Sequence, residues 1–130
     1  MTTILYIEDE EDMAELVRRN IERAGHAMIH ASSSEEGLRL AERERPQLIL
    51  LDIGLGVDQL DGWEVNKRLK GNPVTATIPV IALTAHTTRV ASREKALKEG
   101  FAEHHNKPID FIKLLKMIDE LLLRSVKEGS

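Results

Sequence analysis

Two apolar runs of this chain are continuous rather than alternating, and this feature restricts the fold more than any other. The runs are LILLD, at residues 48–52, and IPVIALT, at residues 78–84. A strand with one face in water alternates apolar and polar residues, whereas a strand covered on both faces is apolar throughout. Continuous runs of this length therefore predict a parallel sheet with helices packed on both faces.

Segments with a helical repeat separate the apolar runs. The runs lie at 3–7, 27–31, 47–52, 78–83 and 101–105, and each is followed by a stretch with a 3.6-residue period. The chain thus reads as strand and helix repeated five times. Because the crossover between parallel strands is right-handed, this order predicts a doubly wound α/β fold.

Turn and cap residues indicate where the helices begin and end. Gly25 is placed to end the first helix. The pairs Ser33–Glu36 and Asp61–Glu64 have the spacing of capping boxes and predict the starts of the second and third. A fourth helix is predicted over about 87–99, and a fifth is predicted to start near Pro108.

Composition indicates one globular domain and excludes several classes of function. The chain has 130 residues, 42% of them hydrophobic, and we predict a domain over 1–124 with a frayed tail at 125–130. With no cysteine, a disulfide framework, a thiolate metal site and a cysteine nucleophile are excluded. The start lacks a secretory signal and the apolar runs are too short to cross a bilayer, so we expect a cytoplasmic protein without membrane contact. Scattered basic residues, a net charge of −4 and 3% aromatic residues argue against direct nucleic-acid binding.

Polar residues that could carry chemistry follow four of the five predicted strands. In an open parallel sheet, functional groups gather outside the carboxyl ends of the strands. These ends carry Glu8 and Asp9, Asp52, Thr84, and finally Asn106 and Lys107. We therefore expect a site with three carboxylates, a hydroxyl and an ammonium group.

This set of groups suits phosphoryl transfer. Three carboxylates without cysteine favour a hard cation such as Mg²⁺, Lys107 can bind an anionic oxygen, and Thr84 can donate a hydrogen bond to another. Asp52 is the carboxylate placed to attack and form an aspartyl phosphate. Taken singly, each residue has a simpler interpretation: the carboxylates as a solvated loop and helix start, Asp52 as a cap and Lys107 as part of a turn.

The motifs together resemble the receiver domains of two-component response regulators, from about Thr3 to Leu123. The matching segments are ILYIEDEED, PQLILLDI, DGWEV, IPVIALTA, EKALKEGF and NKPID. The resemblance implies a flavodoxin-like (βα)5 fold with a five-stranded parallel sheet in the order 2-1-3-4-5. It also implies a phosphoryl group received from a phosphohistidine of a histidine kinase or a histidine phosphotransfer protein.

The resemblance also implies a role for each site residue. Asp52 would be the phosphoacceptor, and Thr84 and Lys107 would hold phosphoryl oxygens. Mg²⁺ would be the cofactor, bound directly by three groups and through a water by a fourth. The direct ligands would be Asp9, Asp52 and the backbone carbonyl of Gly54, and Glu8 would act through the water. The Lys107–Pro108 bond would be cis.

Several positions depart from the family pattern. Glu8 stands where Asp is common, and the loop at 53–60 is two residues longer than usual and lacks a proline. This loop could alter access to the site or could be a tolerated surface insertion. His104 stands three residues before Lys107, where Tyr or Phe commonly acts as a switch. His86 could lie over the site and modulate hydrolysis, and a metal shared by the neighbouring His104 and His105 is not expected because adjacent strand residues point to opposite faces.

The predicted function is that of a stand-alone receiver, acting as a phosphorylation-controlled switch or as a phosphorelay intermediate, and not as a conventional enzyme. Self-phosphorylation and slow self-dephosphorylation are expected, and output would pass to a downstream protein. The alternatives are a constitutive adaptor that does not turn over phosphate and an aspartyl-phosphate hydrolase, although Gly54 stands where such hydrolases have a second Asp. The expected output face contains Val90, Arg93, Leu97, His104, Ile112 and Met117.

Overall fold

Five parallel strands form one sheet at the centre of the molecule. The computed structural model describes residues 2–54, 60–84 and 93–129. The strand order is β2-β1-β3-β4-β5, which confirms the order 2-1-3-4-5 and the flavodoxin-like arrangement. The strands are β1 (Thr3–Ile7), β2 (Ala27–Ala31), β3 (Leu48–Asp52), β4 (Val80–Thr84) and β5 (Glu103–Asn106).

Burial explains why the two continuous apolar runs are strands. Every residue of β3 and every residue of β4 is buried. These two strands pair with each other, with Ile49 opposite Val80 and Asp52 opposite Leu83. The interpretation of these runs as strands covered on both faces is confirmed.

Helices follow each strand, and two of their starts are capped as the sequence predicts. The hydroxyl of Ser33 accepts a hydrogen bond from the Glu36 backbone N–H, and the Asp61 carboxylate accepts one from the Glu64 N–H. Gly25 has a φ of +93°, the left-handed conformation that ends a helix at little cost for glycine. The helices are α1 (Glu11–Arg23), α2 (Ser34–Glu44), α3 (Gly62–Gly71), α4 (Arg93–Lys98) and α5 (Phe111–Gly129).

The fifth helix differs from its predicted start. The prediction that α5 starts near Pro108 is wrong: it starts at Phe111, because the Asp110 carboxylate caps it by accepting the Lys113 backbone N–H at 3.2 Å. Residues 125–129, predicted as a frayed tail, are helical, and the domain boundary at residue 124 stays a prediction. The predicted start of the fourth helix, near 87, lies outside the described residues.

The sheet separates two apolar cores. One core packs α1 and α5 against the strands and contains Leu50, while the other packs α2, α3 and α4 against them and contains Leu51. Residues adjacent in β3 therefore belong to different cores, as the alternation of side chains along a strand requires. Within the described ranges, no helix has the length and apolar character needed to cross a membrane.

A buried histidine helps to fix the segment that leads into α5. His105 is 4% exposed, and its Nε2 accepts a hydrogen bond from the Asp110 backbone N–H at 3.1 Å. Burial, helped by the positive charge of Lys113, lowers the pKa of His105 below its ordinary value of 6.5. The neutral ring is the form that the fold requires, because a protonated Nε2 has no lone pair with which to accept this bond.

The depressed pKa of His105 predicts a loss of stability in mild acid. The unfolded chain takes up a proton at this site more readily than the folded chain, so the stabilisation is complete above pH 6.5 and is lost as the pH falls below it. We expect the free energy of unfolding in urea to fall more steeply for the wild type than for His105→Gln between about pH 7.5 and pH 5.5. Parallel curves for the two proteins would contradict this assignment.

Candidate functional site

Three carboxylates converge at the carboxyl edge of the sheet. Glu8 and Asp9 follow β1 directly, and Asp52 ends β3, the neighbour of β1 in the sheet. One oxygen from each of the three carboxylates lies within 4.8 Å of the others. Glu8 is 1% exposed and Asp52 is 5% exposed, whereas Asp9 is open to solvent. The structure thus brings together all three predicted carboxylates.

Lys107 lies beside two of these carboxylates. Its Nζ is 3.2 Å from Oδ2 of Asp52 and 3.7 Å from Oε1 of Glu8. The other Asp52 oxygen, Oδ1, accepts a hydrogen bond from the Gly54 backbone N–H at 3.0 Å. Each oxygen of Asp52 therefore has a separate partner, which fixes the orientation of the carboxylate.

The backbone after β5 brings the lysine to this position. The Lys107 backbone N–H donates to the carbonyl of Thr84 at 2.7 Å, which continues the β4–β5 pairing past the end of β5. The Lys107–Pro108 peptide bond is cis, as the resemblance implied. A backbone hydrogen bond therefore links Lys107 directly to the end of β4.

Glu8 is an acid whose pKa is raised by its surroundings. Burial, followed by the hydrogen bond and charge of the Asp52 carboxylate, raises the pKa of Glu8 to about 8, while the nearby Lys107 ammonium opposes the shift. Among the residues that the structure describes, Oε2 of Glu8 is buried without a hydrogen-bond partner. A cation bound at this edge would interact with the buried Glu8 oxygen and would reduce the repulsion among the neighbouring carboxylates.

The hydroxyl of Thr84 makes its hydrogen bonds to β5. Thr84 is 1% exposed and ends β4, and its Oγ1 lies 2.8 Å from Nε2 of His104 and 3.0 Å from Oδ1 of Asn106. Sequence reasoning placed Thr84 at this edge but gave no role to Asn106. The strand register, which pairs Thr84 with Asn106, identifies this partner, and apolar periodicity along the sequence does not report the register.

The other predicted site features are described only in part. His86 and residues 55–59 of the longer loop lie outside the described residues, so their predicted effects stay predictions. His104 and His105 have different partners, since His104 bonds Thr84 and His105 bonds the Asp110 backbone.

Comparison with known proteins identifies the family. Residues 4–119 match the family described as response regulator receiver domain. The chain belongs to this family. Among the relatives of this receiver domain is the polar-differentiation response regulator DivK of Brucella anthropi, 35% identical over 121 residues that cover 92% of this chain and 95% of that protein.

Other relatives are longer than this receiver domain. The alkaline phosphatase synthesis transcriptional regulatory protein PhoP of Bacillus subtilis is 35% identical over 122 residues, and the match covers 94% of this chain but 49% of PhoP. The chain thus spans about half the length of PhoP and nearly all of DivK. A crystal structure of a CheY-like receiver domain from Methanospirillum hungatei is 26% identical, with a TM-score of 0.88 and coverage of 99% of both chains.

Family membership establishes the general role of the domain. Receiver domains are signalling switches of two-component systems rather than conventional enzymes. They typically bind Mg²⁺ in an acidic pocket and interact with histidine kinases or phosphotransfer proteins. The cluster of Glu8, Asp9 and Asp52 has the oxygen donors that Mg²⁺ prefers, so the residues present fit this ion.

Proposed function

We propose that this receiver domain is a phosphorylation-controlled switch or phosphorelay intermediate that accepts a phosphoryl group on Asp52. The donor would be a phosphohistidine of a histidine kinase or of a phosphotransfer protein. The observation that carries the proposal is the 3.2 Å separation between Nζ of Lys107 and Oδ2 of Asp52, beside the acidic cluster. A buried carboxylate with an ammonium group and other oxygen donors beside it is suited to receive an anionic group.

Mg²⁺ would be held by residues on two segments of this edge. Asp9, Asp52 and the backbone carbonyl of Gly54 are proposed as direct ligands, and Glu8 as a ligand through a water. When bound, the ion would neutralise charge on the carboxylates and on the incoming phosphate. No group of the described residues hydrogen-bonds the buried Oε2 of Glu8, which supports a role for this residue in that hydration shell.

The chain's own groups would organise the transfer. An oxygen of Asp52 would bond to phosphorus as the bond from phosphorus to the donor imidazole breaks, and the imidazole would leave with the electron pair of that bond. The Gly54 N–H orients the attacking carboxylate. The Lys107 ammonium is close enough to stabilise the negative charge as it moves from the carboxylate to the phosphoryl oxygens. Thr84 would donate its hydroxyl proton to another phosphoryl oxygen.

The output face proposed for this domain borders the β4–β5 edge. A groove of about 480 Å³ between α4, β5 and α5 is lined in part by Arg93, Glu103, His104 and Met117. The Arg93 guanidinium donates to both oxygens of Glu103, at 2.7 Å and 3.4 Å, and so joins α4 to β5. His104 lines the groove and is hydrogen-bonded to Thr84, so a movement of Thr84 would shift a side chain of this face. Leu97 on α4 and Ile112 on α5 are exposed, and Val90 lies outside the described residues.

Labelling by a small phosphodonor tests the proposal. With Mg²⁺ present, we expect acetyl phosphate to add one phosphoryl group to the wild type and none to Asp52→Asn, and we expect a chelator to abolish the labelling. The substitution replaces an attacking carboxylate by an amide of nearly the same shape. An unlabelled wild type, or equal labelling of Asp52→Asn, would instead support a constitutive adaptor that does not turn over phosphate.

A further inference from the structure

The single hydroxyl proton of Thr84 is already in use within the protein. Thr84 donates it to Oδ1 of Asn106 at 3.0 Å, and Nε2 of His104 lies 2.8 Å from the same hydroxyl oxygen. Because a hydroxyl donates only once, Nε2 of His104 must carry a proton and donate it to Thr84. Thr84 is thus held between a donor and an acceptor, both on β5.

Strand register creates this arrangement. Thr84 is paired with Asn106 and Ala82 with His104, so alternate residues of the two strands place all three polar side chains on one side of the sheet. Thr84 and His104 are buried, whereas Asn106 is exposed at the strand end. The acceptor is therefore the partner that water can replace most easily.

The same proton is required by the proposed phosphoryl site. The inference rests on the proposed function, in which Thr84 donates to a phosphoryl oxygen on Asp52. We propose that Asn106 is a positioning residue that holds the Thr84 hydroxyl in a resting orientation and competes with the phosphoryl oxygen for its proton. His104 donates to the Thr84 oxygen, so its bond is compatible with either orientation of the hydroxyl proton.

The competition predicts that a substitution beside the site strengthens the binding of a phosphoryl mimic, whereas such substitutions usually weaken binding. Removing the Asn106 amide frees the Thr84 proton, so Asn106→Ala should bind a phosphoryl mimic more tightly than the wild type. One hydrogen bond of this kind corresponds to an affinity change of about threefold to tenfold. A substitution that merely loosened the edge of the sheet would weaken binding instead.

Calorimetric titration with beryllium fluoride in the presence of Mg²⁺ tests the inference. We expect Asn106→Ala to lower the dissociation constant by about threefold to tenfold in the wild-type background. The same substitution should have no effect in Thr84→Val, which keeps the shape of the side chain but has no hydroxyl. Asn20→Ala removes the same side chain from α1, where it bonds the Leu16 carbonyl, and is the matched control that should leave the affinity unchanged.

The outcomes separate this inference from the function on which it rests. A wild type that binds beryllium fluoride, with no gain in Asn106→Ala or an equal gain in Thr84→Val, would overturn the role of Asn106 alone. A wild type that does not bind it would overturn the proposed function and this inference together. A correlation between the ring nitrogen and its proton in NMR spectra should show His104 protonated at Nε2, and a bare Nε2 would also overturn the assignment.

Discussion

Lys107→Met is expected to lower the rate at which acetyl phosphate labels Asp52 by about 100-fold to 1000-fold. In the described part of the chain, Lys107 is the ion-pair partner of both Asp52, at 3.2 Å, and Glu8, at 3.7 Å. Methionine has a similar length but no charge, so the buried carboxylates would lose their neighbouring cation and the phosphoryl oxygens would lose a donor. The rate constant for labelling, measured at saturating Mg²⁺, is the quantity to compare.

Two further variants show whether the position of the charge matters. Lys113→Met removes a lysine of α5 that lines the α4–β5–α5 groove, and it should leave the labelling rate within about twofold of the wild type. Lys107→Arg keeps the charge but replaces a compact ammonium by a planar guanidinium, so we expect it to recover only part of the rate. A labelling rate for Lys107→Met within about threefold of the wild type would remove Lys107 from the proposed mechanism.

Gly62→Ala is expected to lower the free energy of unfolding by about 1–3 kcal/mol. Gly62 begins α3, and a Cβ there would lie 2.6 Å from the Ile53 Cα, 2.8 Å from the Ile53 Cδ1 and 3.0 Å from the Asp52 carbonyl oxygen. The first of these atoms is backbone and cannot move aside alone. Relieving the contact must therefore shift the chain that follows Asp52, and labelling of Asp52 should slow as well.

Gly71→Ala provides the control within the same helix. Apart from the chain neighbours of Gly71 and the backbone of α3, no heavy atom of the described residues would lie within 4 Å of a Cβ at Gly71, so the substitution adds helix propensity without a clash. We expect it to leave the free energy of unfolding unchanged or to raise it by up to about 1 kcal/mol. Urea unfolding of both variants measures the contrast, and equal effects at the two positions would refute the steric explanation.

Sequence alone predicted the fold well because periodicity reports burial directly. The residues of LILLD are all buried in β3, and Gly25 has the positive φ that its predicted cap position requires. The predicted start of α5 was wrong because a proline can begin a helix or precede one, and periodicity does not separate the two cases. The Asp110 cap, three residues before Lys113, was the better signal.

The sequence predicted only those site residues whose location follows from their position at the end of a strand. Glu8, Asp9 and Asp52 end neighbouring parallel strands, so their convergence follows from strand order. The partners of Thr84 could not be predicted, because a lateral hydrogen bond depends on the register between β4 and β5. The close approach of Gly62 to Ile53 depends likewise on how α3 returns to the sheet, which sequence spacing does not report.

The division of the interior by the sheet places two residues of the proposed site on opposite sides. Side-chain alternation places Asp52 on the side of Leu50, with α1 and α5, and Thr84 on the side of Ala82, with α4. Free-energy changes at distant positions without shared partners usually add. Substitutions deep in the α4 core and in the α1–α5 core, away from the site, are therefore expected to change the free energy of unfolding by amounts that add.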